Sequence, residues 1–218
     1  MMPFDGRAVS ILLFAAICVS EPGIAQDRKG QGATVSAVTP IFSQLVMLSY
    51  PPGFKPAYEN STATQYIQES VPQGESVEKW SQMITLTGAK GLAANPNATP
   101  QLFVQQIAGG FQRACPNTFA VKNLGSLKVS GYEAYSALVG CGAVQAGPQR
   151  SEVAMLIAVK GSADYYTIQW AERGPQSSQQ PVLDDAKWSA WLRQLNPIKV
   201  CNRVPNEPPP YPSCVNQP

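Results

Sequence analysis

The sequence contains no histidine, the usual general base for serine and cysteine nucleophiles and a common zinc ligand. Charged residues are also few, at 14% of 218 residues with a net charge of +2, so no basic surface for nucleic acid is expected. The glycine-rich nucleotide-binding motifs and the GxSxG motif of hydrolases are absent as well. We therefore predict no cofactor, no metal ion and no nucleic-acid partner, and we assign no residue to catalysis.

Hydrophobic runs long enough to cross a membrane are lacking too. The longest apolar run near the N-terminus, residues 8–19, falls short of the roughly 20 residues that a transmembrane helix needs. It follows an arginine and precedes small residues at the −3 and −1 positions of a cleavage site after Ala25. We expect residues 1–25 to be a signal peptide and the mature protein to begin at Gln26, in the periplasm or secreted, without stable membrane insertion. A retained anchor and lipidation of Cys18 are the alternatives.

Cysteine is scarce, but its number becomes even once the signal peptide is removed. Cleavage takes Cys18 away and leaves Cys115, Cys141, Cys201 and Cys214. An even number in an exported chain favours disulfides, and four cysteines allow three pairings. We favour Cys115 with Cys141 and Cys201 with Cys214, because this choice closes the shortest loops. A zinc site is disfavoured, since the chain has neither a CxxC pair nor a histidine.

Residues 151–174 form the longest run of strand-forming residues, interrupted only by the sequence GSAD at 161–164. Alternate residues of a strand share a face, so one face of this predicted hairpin is apolar: Val153, Met155, Ile157, Val159, Tyr166, Ile168 and Trp170. The opposite face is apolar or small as well: Ala154, Leu156, Ala158, Tyr165 and Ala171. We predict that the hairpin lies within a sheet with other layers packed on both faces. A two-residue turn and a four-residue turn would both leave the same residues on the same face. The sequence therefore predicts the two faces but not the pairing register of the strands.

Several shorter strands and two helices complete the pattern. The strands are expected at residues 41–49, 54–60, 64–71, 83–87, 119–124 and 128–141. A helix should begin after Thr99, with Pro100 at its first position, and end before Cys115. Its apolar stripe is expected to be Phe103, Ile107, Phe111 and Ala114, and close packing on the sheet would explain its Gly109-Gly110 pair. A last helix is expected at 183–195, with Trp188, Trp191, Leu192 and Leu195 on its buried side.

Runs of strands with two helices predict an α+β fold. We expect an antiparallel sheet of about six or seven strands, with the middle helix and the C-terminal helix packed on it. Residues 26–40 are predicted to be a flexible leader, residues 41–198 a single domain, and residues 199–218 a proline-rich tail held by its disulfide.

Five short motifs give the chain a resemblance to known proteins. Its Pro-Gly-Phe at 52–54, middle helix, Gly-Tyr-Glu-Ala at 131–134 and final helix resemble the PsbP/DcrB-like fold. The sequences at 80–85 (WSQMIT), 115–116 (CP) and 165–173 (YYTIQWAER) are similar to a family of uncharacterised exported bacterial proteins. The resemblance spans most of 41–198 and implies an α+β sandwich in an accessory or binding protein. It implies no binding site, because the C-terminal cysteine pair departs from the general pattern.

The remaining chemistry lies in carboxylates and aromatic rings. Glu133, Glu152, Asp164 and Glu172 lie on or beside the central strands, and two facing carboxylates could hydrolyse a glycoside. We interpret them instead as solvated or ion-paired residues. Six aromatic residues could form a ligand groove, but core packing is the preferred interpretation: Tyr58, Tyr66, Trp80, Tyr132, Tyr165 and Trp170.

These observations favour a non-enzymatic accessory or binding module that recognises another envelope protein or a small ligand. A carboxylate-based polysaccharide hydrolase is the first alternative, and an inhibitor of an extracellular enzyme is the second.

Overall fold

The computed structural model describes residues 34–145 and 149–217. The predicted signal peptide, its cleavage site at Ala25 and Gln26, and Cys18 lie outside these residues. The strands of the described part are β1 (Val35–Ile41), β2 (Gln44–Tyr50), β3 (Phe54–Ser61), β4 (Gln65–Pro72), β5 (Gln82–Ala89), β6 (Phe119–Val129), β7 (Tyr132–Cys141), β8 (Ser151–Lys160), β9 (Tyr165–Gly174) and β10 (Lys199–Asn202). Its α-helices are α1 (Pro100–Ala114), α2 (Asp185–Leu195) and α3 (Pro212–Val215).

Seven strands form one antiparallel sheet in the order β3-β4-β5-β9-β8-β7-β6. The predicted α+β class and the size of the antiparallel sheet are confirmed. The β8–β9 hairpin lies at its centre, between β7 and β5. Lys160 is opposite Tyr165, so four residues form the turn, and the amide of Gly161 donates to the carbonyl oxygen of Asp164 at 2.9 Å. This selects the longer of the two predicted turns.

Both predicted faces of the hairpin are buried, in separate clusters. We call the first the main core; it contains Met155, Ile157, Val159, Tyr166, Ile168 and Trp170, with side chains of β2, β10 and α2. We call the second the helix-side core; it contains Ala154, Leu156, Ala158 and Ala171, with Val104 and Ala108 of α1. The prediction of layers on both sides of the hairpin is therefore confirmed.

A second sheet, of three strands in the order β1-β2-β10, was not expected from the sequence. All seven residues of β2 are buried, and β1 and β10 pair with it on either side. The predicted leader at 26–40 therefore extends too far, because residues 35–40 belong to β1. The predicted tail likewise begins too early, since residues 199–202 form β10. Polar composition alone did not reveal that these segments supply backbone hydrogen bonds to a buried strand.

A buried amide joins the small sheet to the hairpin turn. Gln44 is fully buried, and its amide nitrogen donates to the Tyr132 hydroxyl at 2.9 Å and to Asn202 Oδ1 at 3.2 Å. Its amide oxygen accepts from the backbone N–H of Ser162 at 2.8 Å. Because all three partners lie in different segments, this side chain fixes the position of β2 against the hairpin.

Helix α1 begins as predicted, with the hydroxyl of Thr99 accepting from the backbone N–H of Leu102 at 3.2 Å. Its most deeply buried side chains are Val104 and Ala108, whereas the predicted stripe residues Phe103, Ile107 and Phe111 are half-buried and Ala114 is exposed. The helix is therefore rotated from the predicted orientation.

The Gly109-Gly110 pair of α1 is not explained by close packing on the sheet. Among the described residues, only the Arg113 guanidinium lies within 4 Å of a Cβ built at either glycine. That interpretation is therefore wrong, and the pair leaves this part of the helix surface open.

Helix α2 packs its predicted side into the main core, where Trp188 and Leu195 are buried and Trp191 and Leu192 are half-buried. Asp184 caps its N-terminus by accepting from the backbone N–H groups of Ala186 and Lys187. None of the described helices is both long and apolar enough to cross a membrane.

Candidate functional site

Helix α1 covers only one half of the sheet face on which it lies. It packs on β6, β7 and β8. Its main contacts do not include β3, β4 or β5, although Val71 of β4 and Met83 of β5 lie in the helix-side core. Away from Val71 and Met83, these strands continue beyond the helix with half-buried or exposed side chains on this face.

Two rows of side chains, read from the strand register, show how this surface differs from the covered half. The first row crosses β3, β4, β5 and β9 as Tyr58, Glu69, Thr85 and Gln169, and continues under α1 as Leu156 and Ala137. The second row crosses the same strands as Asn60, Ile67, Thr87 and Thr167, and continues as Ala158 and Tyr135. In both rows the residues beneath α1 are apolar or aromatic, whereas the part beyond the helix mixes polar side chains with Tyr58 and Ile67. We call the half of the two rows beyond α1, from Tyr58 and Asn60 to Gln169 and Thr167, the open face; Thr167, at its inner edge, is only 6% exposed.

The open face combines aromatic, uncharged polar and acidic groups. Tyr58 is 43% exposed at the outer edge, whereas Glu69, Thr85 and Gln169 are half-buried by their neighbours in the sheet. The hydroxyls of Thr87 and Thr167 lie 2.5 Å apart and satisfy one another. The surface is thus largely uncharged, with one acidic side chain near its centre.

That acidic side chain, Glu69, makes no hydrogen bond or ion pair with the described residues. Burial raises the pKa of its carboxyl, and the positive charge of Arg173 partly opposes this shift. A half-buried carboxylate without a partner reduces stability, which is typical of a residue kept for binding or catalysis.

A cleft lies at each end of β9. The cleft near Tyr165 has a volume of about 320 Å³ and lies between Phe103 of α1 and the second row at Asn60, Ile67 and Thr87. Phe103 stacks on Tyr165, with ring centroids 5.1 Å apart, and so forms a fixed wall. The cleft near Arg173 has a volume of about 450 Å³ and is lined by Trp80 and the loop that precedes β5.

Arg173 is held in this second cleft by three contacts. Its Nε–H donates to Glu152 Oε2 at 3.0 Å, and its backbone N–H donates to the carbonyl oxygen of Ser81 at 2.8 Å. Its guanidinium carbon lies 3.5 Å from the centroid of the Trp80 ring, a cation–π contact. The Arg150 side chain also approaches Glu152, at 3.8 Å.

The four carboxylates singled out from the sequence do not form a facing pair. Glu152 is opposite Arg173 and Glu172 is opposite Val153, so the two glutamates point to opposite faces of the sheet. Glu133 is on the same face as Glu152, but it is opposite Lys160. Eight residues of strand separate these positions, roughly 26 Å. Two carboxylates of a glycosidase lie about 5–9.5 Å apart, so these positions do not support the hydrolase alternative.

The partners of these carboxylates are structural. Glu172 forms an ion pair with Lys187 of α2, as the interpretation of ion-paired residues expects. Asp164 is buried and accepts from the backbone N–H and hydroxyl of Ser43 and from the backbone N–H of Gly91. These bonds connect the hairpin turn to the small sheet and to the segment after β5.

The candidate aromatic residues divide between core and surface. Trp170 is 2% exposed in the main core, stacks on Trp191 at 4.3 Å and donates its Nε1–H to Gln82 at 3.2 Å. Tyr66, Trp80 and Tyr165 are also buried. Tyr132 is half-buried in the Gln44 contact, so only Tyr58 offers an exposed ring.

Cys115 is bonded to Cys141, and Cys201 to Cys214. The first bond joins the end of α1 to the end of β7. The second joins β10 to α3 and lies beside Leu45 and Met47 of β2. Both pairs lie away from the open face and contribute no side chain to it.

Sequence reasoning did not single out Glu69, Thr85 or Gln169. Their signal was weak, because a strand that is half covered and half open lacks a regular alternation. The segment QYIQES at 65–70 places polar residues on both faces of β4, and this could have indicated a surface without a covering layer.

No family model matches the chain, and no curated protein matches it significantly. Similar solved structures include the Ran-binding protein Mog1p of Saccharomyces cerevisiae, at 14% identity over 77% of this chain and 97% of that one, with a TM-score of 0.43. The cyanobacterial PsbP (CyanoP) of Synechocystis is 9% identical over 68% and 79%, with a TM-score of 0.38. LpqN, involved in cell envelope biogenesis of Mycobacterium tuberculosis, is 8% identical over 77% and 91%, with a TM-score of 0.37. These likenesses are too distant to decide the function of this chain.

Proposed function

We propose that this protein is an exported, non-enzymatic binding module that recognises another envelope protein through the open face. The observation that carries the proposal is the mixed, largely uncharged composition of two sheet rows beyond α1, in contrast to the apolar or aromatic residues beneath the helix. A sheet face that had no partner would need only a solvated charged surface. This one instead has tyrosine, isoleucine, threonine and glutamine, a mixture typical of a surface that alternates between water and a partner.

The shape of the open face supports a protein as partner more than a small ligand. Four neighbouring strands span about 14 Å at their usual spacing, and clefts lie near both ends of β9. Small molecules generally bind in enclosed apolar pockets that bury most of their surface. The open face offers a broad polar area, which suits a second macromolecule.

Site-specific photo-crosslinking tests this proposal. A benzophenone side chain placed at Thr85 should form a covalent adduct with one envelope protein, and the same group at Gln169 should capture the same protein. The matched control is Val121, which is 47% exposed on β6 outside the open face and should give no such adduct. Melting curves of each variant establish that the fold is retained. Equal adducts from all three positions, or none from the open face, would exclude the proposed surface.

Export is supported by the predicted signal peptide and by the two disulfides, which persist in oxidising compartments. The intact mass of the exported protein should correspond to a chain that starts at Gln26. A mass that includes residues 1–25, or a lipid on Cys18, would contradict the cleavage site.

A further inference from the structure

The cleft at the Arg173 end of β9 contains a guanidinium that is fixed in place but has hydrogen-bond donors left for a ligand. Only its Nε–H donates to Glu152; its two terminal amino groups make no hydrogen bond to any residue of the described ranges. Stacking on Trp80 and the bond to Glu152 already fix the orientation of the side chain. A ligand that binds the terminal groups would therefore not have to order a free arginine.

Two acidic residues beside Arg173 are already engaged, and a third, Glu69, acts on Arg173 through its charge alone. Glu75 lines the cleft, but one of its oxygens accepts from the Ser81 backbone N–H and the other from the Ser81 hydroxyl, both at 2.7 Å. Glu152 is shared between Arg173 and Arg150. Lys79, exposed at the edge of the cleft, forms no ion pair within the described part of the chain. The terminal amino groups of Arg173 and the ammonium of Lys79 thus remain available as donors to a ligand in the cleft.

We propose that this cleft binds a carboxylate, which accepts two hydrogen bonds from the terminal amino groups of Arg173 while Lys79 contributes a second positive charge. A planar carboxylate matches the fork of a guanidinium. The negative charge of Glu75 in the cleft wall disfavours a doubly charged phosphate and therefore selects a single negative charge. Burial lowers the pKa of Arg173, and the hydrogen bond to Glu152 and the charges of Glu152 and Glu69 oppose this shift.

The inferred site deepens the proposed function and rests on it for the source of the carboxylate. Arg173 is on the same sheet face as Gln169 and four residues along β9 from it, so a protein bound to the open face would reach the cleft. The carboxylate would come from an acidic side chain or from the C-terminus of that protein.

Nuclear magnetic resonance titration at constant ionic strength tests the site with three acetylated tripeptides. Gly-Gly-Ala with a free C-terminus presents a terminal carboxylate, and Gly-Asp-Gly amide presents a side-chain carboxylate. Gly-Gly-Ala amide is the neutral control. At least one acid should shift the resonances of the Arg173 Nε–H, the Trp80 indole N–H and the Ser81 amide, and the neutral peptide should not. The stronger acid identifies the source.

Matched variants locate the effect. Arg173→Lys keeps the charge but loses the fork, so affinity should fall about tenfold or more. Lys79→Ala removes an exposed side chain and should weaken binding about twofold to threefold. Lys128→Ala, at the opposite end of the sheet, should bind as the wild type does.

Three results would overturn the site: no shift with either acid, equal shifts with the neutral peptide, or full affinity in both Arg173→Lys and Lys79→Ala. Crosslinking at Thr85 separates this failure from failure of the proposed function. Adducts without acid binding would leave the protein interface and remove the carboxylate site. Acid binding without adducts would leave the carboxylate site and remove the protein interface.

Discussion

Asp164 and Ser43 are joined by two hydrogen bonds that connect the central hairpin to the turn between β1 and β2. The carboxylate accepts from the Ser43 backbone N–H at 3.0 Å and from its hydroxyl at 2.5 Å. A third bond comes from the Gly91 backbone N–H at 2.7 Å. One buried side chain thus holds three segments together, and its charge is compensated by hydrogen bonds in place of an ion pair.

We expect Asp164→Asn to destabilise the protein by about 2 kcal/mol at neutral pH, because an amide cannot accept all three bonds and presents its own N–H groups to the donors. Burial raises the pKa of Asp164, but the bonds from Ser43, Gly91 and Tyr166 outweigh this and lower it overall. A carboxyl with a lowered folded-state pKa stabilises the fold above its unfolded pKa, about 4, and loses this contribution as the pH falls through the folded value.

Urea unfolding at pH 7 and pH 3 measures this dependence. The difference between wild type and Asp164→Asn should shrink at the lower pH. Asp185→Asn, an exposed acidic variant, should cost less than about 0.5 kcal/mol at pH 7. A penalty for Asp164→Asn that is the same at both values would contradict the assigned role of the charge.

The opposite pH dependence is expected for Glu69. Its folded-state pKa is raised by burial, with partial opposition from Arg173, so the ionised form is favoured in the unfolded chain. Glu69→Gln should therefore stabilise the protein at neutral pH, by less than about 1 kcal/mol because solvent still screens a half-buried group. The gain should vanish at pH 3, where the carboxyl is protonated in both states. A loss of stability at pH 7 would show that Glu69 has a stabilising partner.

The seven-stranded sheet was predictable because its central hairpin has apolar residues on both faces. From Val153 to Val159 and from Tyr166 to Trp170, every second residue is large and apolar. This period of two over both segments predicts two strands. The small sheet was not predictable in this way. Its β1 strand, VSAVTPI, is short, contains a proline and lacks a regular apolar alternation, and it pairs along its whole length with the buried β2. Such pairing depends on tertiary contacts that a local pattern does not contain.

The candidate site shows the same limit. The sequence indicated Glu152, Asp164 and Glu172 as carboxylates near the central hairpin, but their directions depend on register. Glu152 is opposite Arg173 and not Glu172, and this offset of one residue places the two glutamates on opposite faces. The open face exists because α1 packs mainly over β6, β7 and β8 and meets β9 through Phe103 and Tyr165, a matter of helix position that no residue pattern specifies.

Trp170 should be essential for stability. It is 2% exposed, packs edge-on against Phe54 at 5.8 Å and stacks on Trp191. Trp170→Ala should lower the free energy of unfolding by about 3–5 kcal/mol through lost burial and a residual cavity. Val121→Ala, at a 47% exposed position, should change it by less than about 0.5 kcal/mol. If thermal melting of the two variants is alike, Trp170 does not belong to the core.

Loss of the first disulfide should destabilise the whole fold, whereas loss of the second should open only the C-terminal segment. They close loops with sequence separations of 26 and 13, for which the chain-entropy estimate is about 3 kcal/mol in each case. Loop length therefore does not rank them, and the ranking depends on the elements they join. Cys115 and Cys141 connect α1 to the end of β7 in the seven-stranded sheet, whereas Cys201 and Cys214 connect α3 to β10, which also pairs with β2.

We expect Cys115→Ser/Cys141→Ser to lower the melting temperature more than Cys201→Ser/Cys214→Ser does, because its effect reaches the sheet through α1. The second variant should instead open the C-terminal segment locally, since β10 keeps its hydrogen bonds to β2 when α3 is released. Trypsin cleavage after Arg203, which donates to the Phe42 carbonyl oxygen in the folded protein, should then become faster. Non-reducing peptide mapping of the wild type comes first, and a bond between Cys115 and Cys201 or Cys214 would refute the pairing itself. Equal melting losses with unchanged cleavage at Arg203 would refute the ranking, because the C-terminal bond would then stabilise the whole fold.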